Sequence, residues 1–171
     1  LHVGYAGALR EGLQIGQLVL VTGVSCDVVD PEAAPATVSP PAAASDPALC
    51  DELRSCLAPV GEELAEGQLL TVRRFIDRSE DKARLRALGG DLAGDMEAAV
   101  VMAAAREVGA AYAGLRAISD SSAHEMPPGL RSRGVAAALS WAMRPDRAAR
   151  DSWQMLLRWS RASRTLQDAL P

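Results

Sequence analysis

Aromatic side chains are scarce in this chain of 171 residues: one Phe, two Tyr and three Trp make up 4% of it. A core of stacked rings is excluded, and the 49% of hydrophobic residues must bury mostly aliphatic surface, which a single soluble domain of this length does readily. Histidine is rarer still, with only His2 and His124, and no second histidine or cysteine stands at ligand spacing, so no metal site is expected. Cys26, Cys50 and Cys56 form no CxxC pair and are odd in number. That argues against a disulfide framework or zinc ribbon and for a reducing, cytoplasmic setting. Long apolar runs are missing too, since the longest, Ala98 to Ala105, is far short of the about 20 residues a membrane-spanning helix needs.

An excess of positive charge is also absent. Eighteen basic and 22 acidic side chains give a net charge of −4, which offers no electrostatic footing for nucleic acid and leaves a small molecule or a protein as the expected partner. The distribution is uneven, because residues 129 to 171 hold eight Arg and three Asp, a net +5, which leaves −9 for residues 1 to 128. This basic quarter reads as two helices, at about 130–143 and 146–168, packed on or appended to a domain of residues 1–128. Its charge and Trp141, Trp153 and Trp159 would also suit peripheral contact with an anionic membrane, although a helix covering a sheet looks much the same.

Five prolines between Pro31 and Pro47 exclude a regular helix or central strand there, so this stretch reads as a long surface loop. Around it, apolar runs alternate with helical patterns: a strand at Leu18 to Val21, a helix over 46–58 and a strand from Gln68 to Phe75. An Ala-rich helix from Asp95 to Glu107, ended by Gly109, leads into a buried strand at Ala111 to Ile118 that closes on Ser119 and Asp120. The alternation predicts an α/β fold. Leu1-His2-Val3 reads as the tail of a strand already in progress, and Gly4-Tyr5-Ala6-Gly7 as a turn after it.

In open α/β sheets, ligands bind beyond the carboxyl ends of strands, which singles out Asp120, although an acid there also caps a turn through Ser121 and Ser122. Asp95-Met96-Glu97 opens the Ala-rich helix, where carboxylates are favoured by free N–H groups and the helix dipole. Because that helix feeds the strand ending at Asp120, Glu97 and Asp120 can face one crevice. The Gly4 to Gly7 stretch could bring backbone N–H groups to an anion or a sugar. Phe75, at the expected end of a strand, suits a core position or the stacking of a planar base.

These residues carry a family likeness. Gly94-Asp95-Met96-Glu97-Ala98-Ala99, followed by Leu115-Arg116-Ala117-Ile118-Ser119-Asp120, resembles the purine nucleoside phosphorylase and methylthioadenosine/S-adenosylhomocysteine nucleosidase superfamily. Gly4 to Leu9 with Gly16-Gln17-Leu18-Val19-Leu20 resembles its glycine turn and following strand, and Arg74-Phe75-Ile76-Asp77 its base-pocket strand. The likeness covers about residues 1 to 122, and the Arg-rich remainder is most similar to the hopanoid-associated, adenosylhopane nucleosidase subgroup.

The resemblance implies a three-layer α/β/α fold with a mixed central sheet, lacking its first strands at the N-terminus, and cleavage of a purine nucleoside by phosphate or water. Asp120 would protonate the purine N7, Glu97 would bind ribose hydroxyls, and Met96 would pack under the sugar. Phe75 would stack on the base, the backbone of Ile76 would read its edge, and Ser119 would join the binding residues. Gly4, Tyr5, Ala6 and Gly7 would face phosphate or the attacking water. No cofactor is implied beyond phosphate as a co-substrate, and a homo-oligomer is expected. A catalytically silent nucleoside-binding or interaction fragment is the alternative, because the family's nucleophile-side loop lies upstream of the glycine turn.

Overall fold

The computed structural model describes residues 1–29, 43–58, 64–73, 75–76, 78–89, 92–124, 157, 160, 163–165 and 167. Strands β1 (His2–Ala8), β2 (Leu18–Val29), β3 (Ala43–Ala44), β4 (Ala65–Val72), β5 (Ala93–Asp95) and β6 (Gly114–Asp120) alternate with helices α1 (Pro47–Leu57), α2 (Ser79–Gly89) and α3 (Ala98–Glu107). They form one mixed sheet in the order β3-β2-β4-β5-β1-β6. The α/β class is as the alternation predicts, and the mixed sheet as the resemblance implies. Pairs β1–β6, β2–β4 and β4–β5 are parallel, whereas β1–β5, β2–β3 and β2–β6 are antiparallel. Because β2 bonds to β4 on one side and, through Leu18 to Val21, to β6 on the other, the ladder closes into a ring.

Local chemistry sets the boundaries of the helices. Asp46 caps α1 by accepting from the Leu49 N–H at 3.0 Å, and Pro47 occupies the first turn, where its missing N–H costs nothing. Gly109 closes α3 with a φ of +68°, the left-handed position that favours glycine. The strands are apolar where they cross the middle of the ring: Val19, Leu20, Val21, Leu69, Leu70, Leu115 and Ile118 are fully buried. No helix among the described residues is long and apolar enough to cross a membrane.

Several elements differ from the sequence reading. Gly4 to Gly7 is not a turn, because β1 runs on to Ala8 along the whole of β6. The strand expected from Gln68 to Phe75 starts at Ala65 and stops at Val72, where its neighbours give out: Thr71 meets the last residue of β5, and Val72 the last residue of β2. Phe75 therefore stands beyond the strand. Asp95 ends β5 instead of opening the helix, and Asp120 lies within β6, not after it. Of the Pro-rich stretch, Ala43–Ala44 forms an edge strand on Gly23 and Val24, and residues 31–42 lie outside the described residues. So does most of the pair of C-terminal helices, of which residues 157, 160, 163–165 and 167 are described, all helical.

Candidate active site

A cavity of about 280 Å³ opens where β1 is flanked by the ends of β5 and β6. Tyr5, Ala6 and Gly7 form its floor, Met96 and Glu97 one flank, Ser119 and Asp120 the other, and Val72, Phe75 and Ile76 follow from the end of β4. Lys82 reaches in from α2. The structure thus gathers the expected site residues around one space. Gly4 is the exception: it does not line the cavity but lies beneath Glu97 and Arg116.

Asp120 is buried and both its oxygens are engaged. Ser119 Oγ lies 2.6 Å from Oδ1, and the ammonium of Lys82 is hydrogen-bonded to Oδ2. Lys82 is itself only 1% exposed, and its Nζ also donates to the carbonyls of Ser121 at 2.8 Å and His124 at 3.3 Å. This cation is the main functional residue that the sequence reading missed. A lysine in the run Ser79-Glu80-Asp81-Lys82 looks like part of a solvated helix face. Its signal is helical phase, since Lys82 stands three residues before Leu85, which is also fully buried.

Glu97 has a different environment, with a side chain 60% exposed and turned over β1. Its Oε1 is 3.3 Å from Nε2 of His2, and a Cβ on Gly4 would come within 3.4 Å of it. Behind His2, the guanidinium of Arg116 donates to Nδ1 at 2.9 Å, which leaves a proton on Nε2 for Glu97. Burial and the neighbouring Arg116 both hold His2 below its ordinary pKa, so the ring is neutral near pH 7. Arg116, fully buried, is balanced by Asp95 at 3.0 Å and by the His2 carbonyl at 2.8 Å. Asp95 accepts in turn from Thr71 Oγ1 at 3.0 Å and from the Ala98 N–H, so it caps α3 while Glu97 makes no capping bond. The expected capping by both acids is thereby divided: Asp95 does the structural work and Glu97 is free to meet a ligand.

Met96 and Phe75, which line the cavity, are 53% and 44% exposed and offer it apolar surface. Ile76 packs its side chain toward Gly94. At the opposite edge, the Tyr5 hydroxyl is 2.6 Å from Ser163 Oγ, which brings the C-terminal helical residues to the mouth of the cavity. Arg74 and Asp77, the flanks of Phe75 and Ile76, lie outside the described residues.

The model of one family, the phosphorylase superfamily, matches residues 1–138. The chain belongs to that superfamily. Among solved structures it is similar to a futalosine hydrolase mutant of Helicobacter pylori, at 20% identity and a TM-score of 0.64, covering 98% of this chain and 65% of that one. It is likewise similar to the MTAN of Helicobacter pylori, with 20% identity, a TM-score of 0.63 and the same coverage. For the 5′-methylthioadenosine/S-adenosyl homocysteine nucleosidase of Campylobacter jejuni the values are 19% and 0.61, with 95% and 65% covered. At such identities the likeness is one of fold, and this chain spans 65% of the length of each of these proteins. No curated protein matches the chain in sequence.

Within this phosphorylase superfamily fold, three carboxylates line the cavity: Asp95 is tied to Arg116, Thr71 and the start of α3, while Asp120 is buried against an ammonium and Glu97 is exposed beside a neutral imidazole. Asp120 pairs with Gly7 across the β1–β6 ladder, and Glu97 lies over Gly4. Those two glycines are three residues, or about 10 Å, apart along the strand. The cavity thus has a buried polar end and an open polar end, with apolar side chains between.

Proposed function

We propose that the chain cleaves the N-glycosidic bond of a purine nucleoside, with water or phosphate as the attacking group, and releases the free base. The observation that carries this reading is the placement of Asp120 and Glu97 at the two ends of one cavity along β1. Breaking the bond builds positive charge on the ribose, and the purine leaves more readily once N7 is protonated, so the reaction asks for a proton-handling group at the base and an anionic acceptor at the sugar. Asp120 meets N7 at the enclosed end. Glu97, kept in place by the Nε2–H of His2, accepts hydrogen bonds from ribose hydroxyls at the open end.

Phe75 stacks on the base, the Ile76 backbone reads its edge, Met96 packs under the sugar, and Tyr5 to Gly7 face phosphate or water. Oligomerisation would complete the exposed mouth. The deciding assay measures release of free purine from adenosine, inosine, methylthioadenosine and adenosylhomocysteine, with and without phosphate. Release that Asp120→Asn abolishes supports the reading, and its dependence on phosphate separates phosphorolysis from hydrolysis. Tight binding of nucleoside with no release under either condition would replace it with a binding module.

A further inference from the structure

A neutral carboxylic acid is the simplest donor to a leaving purine, and the geometry around Asp120 does not favour one. Both of its oxygens accept hydrogen bonds, from Ser119 Oγ and from Lys82 Nζ, and the Lys82 ammonium sits against it with both side chains buried at the wall of the cavity. A carboxylate beside an ammonium at this depth is a charged pair, in which the transferable proton resides on nitrogen. All three Nζ donors are assigned, one to Asp120 and two to the carbonyls of Ser121 and His124, so the ammonium is fixed in place. Nothing else with a labile proton and a positive charge touches the Asp120 carboxylate among the described residues.

On the reading of function given above, we propose that Lys82 is the positioning residue and proton store of the site, acting on the base through Asp120. As the C1′–N9 bond breaks and its electron pair moves onto the purine, Asp120 delivers a proton to N7 and takes one from Lys82 Nζ. Lys82 is left as a neutral amine and Asp120 again as a carboxylate. The cation forming on ribose is captured by water or phosphate. When water attacks, the proton it sheds restores the ammonium; when phosphate attacks, solvent supplies that proton.

The test compares an ordinary purine nucleoside with its N7-methyl derivative, whose base already carries the charge that N7 protonation would create. Lys82→Met should lower turnover of the ordinary nucleoside by about a hundred- to ten-thousandfold, the range of general acid help, and that of the N7-methyl nucleoside by less than about tenfold. Lys82→Arg is the sharper variant, because arginine keeps the ion pair but does not give up a proton. It should show the same split. Equal losses on both substrates, or wild-type turnover of the ordinary nucleoside by Lys82→Arg, overturns the relay. The ¹⁵N NMR signal of a slowly exchanging Lys82 ammonium, lost in Asp120→Asn, is expected in the free chain whatever its turnover; a neutral amine there also overturns it. A wild-type chain that keeps this signal but cleaves neither nucleoside removes the proposed function, and the relay falls with it.

Discussion

A methyl group placed on Gly7 would lie 3.1 Å from Oδ2 and 3.2 Å from Oδ1 of Asp120, so this glycine is the space in which the acid sits. Gly4 stands in the same relation to Glu97 and Arg116, at 3.4 Å and 3.7 Å. Neither position needs a left-handed backbone; positive φ among the described residues falls at Gly12, Gly16 and Gly109. The glycines of β1 are there to leave room for carboxylates delivered by neighbouring elements.

Gly7→Ala should therefore displace Asp120 by a few tenths of an ångström and loosen its bond to Lys82. Turnover is expected to drop by up to about a hundredfold, as for other small misplacements of a reacting group, while the thermal midpoint changes little. Steady-state kinetics beside a melting curve checks both halves, and an unchanged kcat would show that the acid tolerates the shift.

Asp120→Asn leaves the Lys82 ammonium buried without its counter-charge. Purine release should fall by about a hundred- to ten-thousandfold, and the chain should lose about 3 kcal/mol of stability, while affinity for the free base persists. Urea denaturation measures the second effect independently of any substrate. A variant as stable as wild type would mean that Lys82 finds other partners.

Glu97→Gln keeps the shape but removes the charge that strengthens hydrogen bonds from hydroxyls. Loss of about 1.5 kcal/mol in nucleoside recognition, or roughly tenfold in affinity, is expected, with free adenine bound as before. Calorimetric titration with nucleoside and with base separates the two, and a parallel loss on both would place Glu97 elsewhere in the mechanism.

His2 gives the stability of the chain a pH dependence of known sign. In the folded chain, burial and Arg116 hold its pKa below 6.5, with Glu97 and Asp95 pulling weakly the other way, so below about pH 6.5 the unfolded chain takes up the proton first. Stability should decline as pH falls through that range, and His2→Gln should flatten this part of the profile. Denaturation midpoints between pH 5 and pH 7.5 report it, and identical slopes in the two proteins would contradict the assignment.

Much of the site could be read from the sequence because its acids stand at element ends. Asp120 closes a continuous apolar strand and Glu97 precedes an Ala-rich helix, and both patterns survive any error of a residue or two in the boundaries. The supporting charges were hidden for opposite reasons. Lys82 is surrounded in sequence by charges that are solvated, and only its phase with Leu85 marks it as inward. Arg116 was noticed as part of a motif, but its role depends on His2, Asp95 and the Leu115 carbonyl, three separate places in the chain. Phe75 was misplaced because strand length is set by the partners β2 and β5, which propensity does not register.

The closed ring of strands has a bearing on how this protein comes into being. Strands β1 and β2 precede their partners in the chain and share no ladder with each other: β1 waits for β5 and β6, and Leu18 of β2 waits for Ala117. Until residues beyond Gly114 are synthesised, the edges of β1 and β2 that face β6 lack this partner, a condition that favours aggregation or chaperone binding of a nascent chain. The strand that brings Asp120 to the cavity is also the one that shuts the ring, so the chain acquires its acid and hides its edges in a single late event.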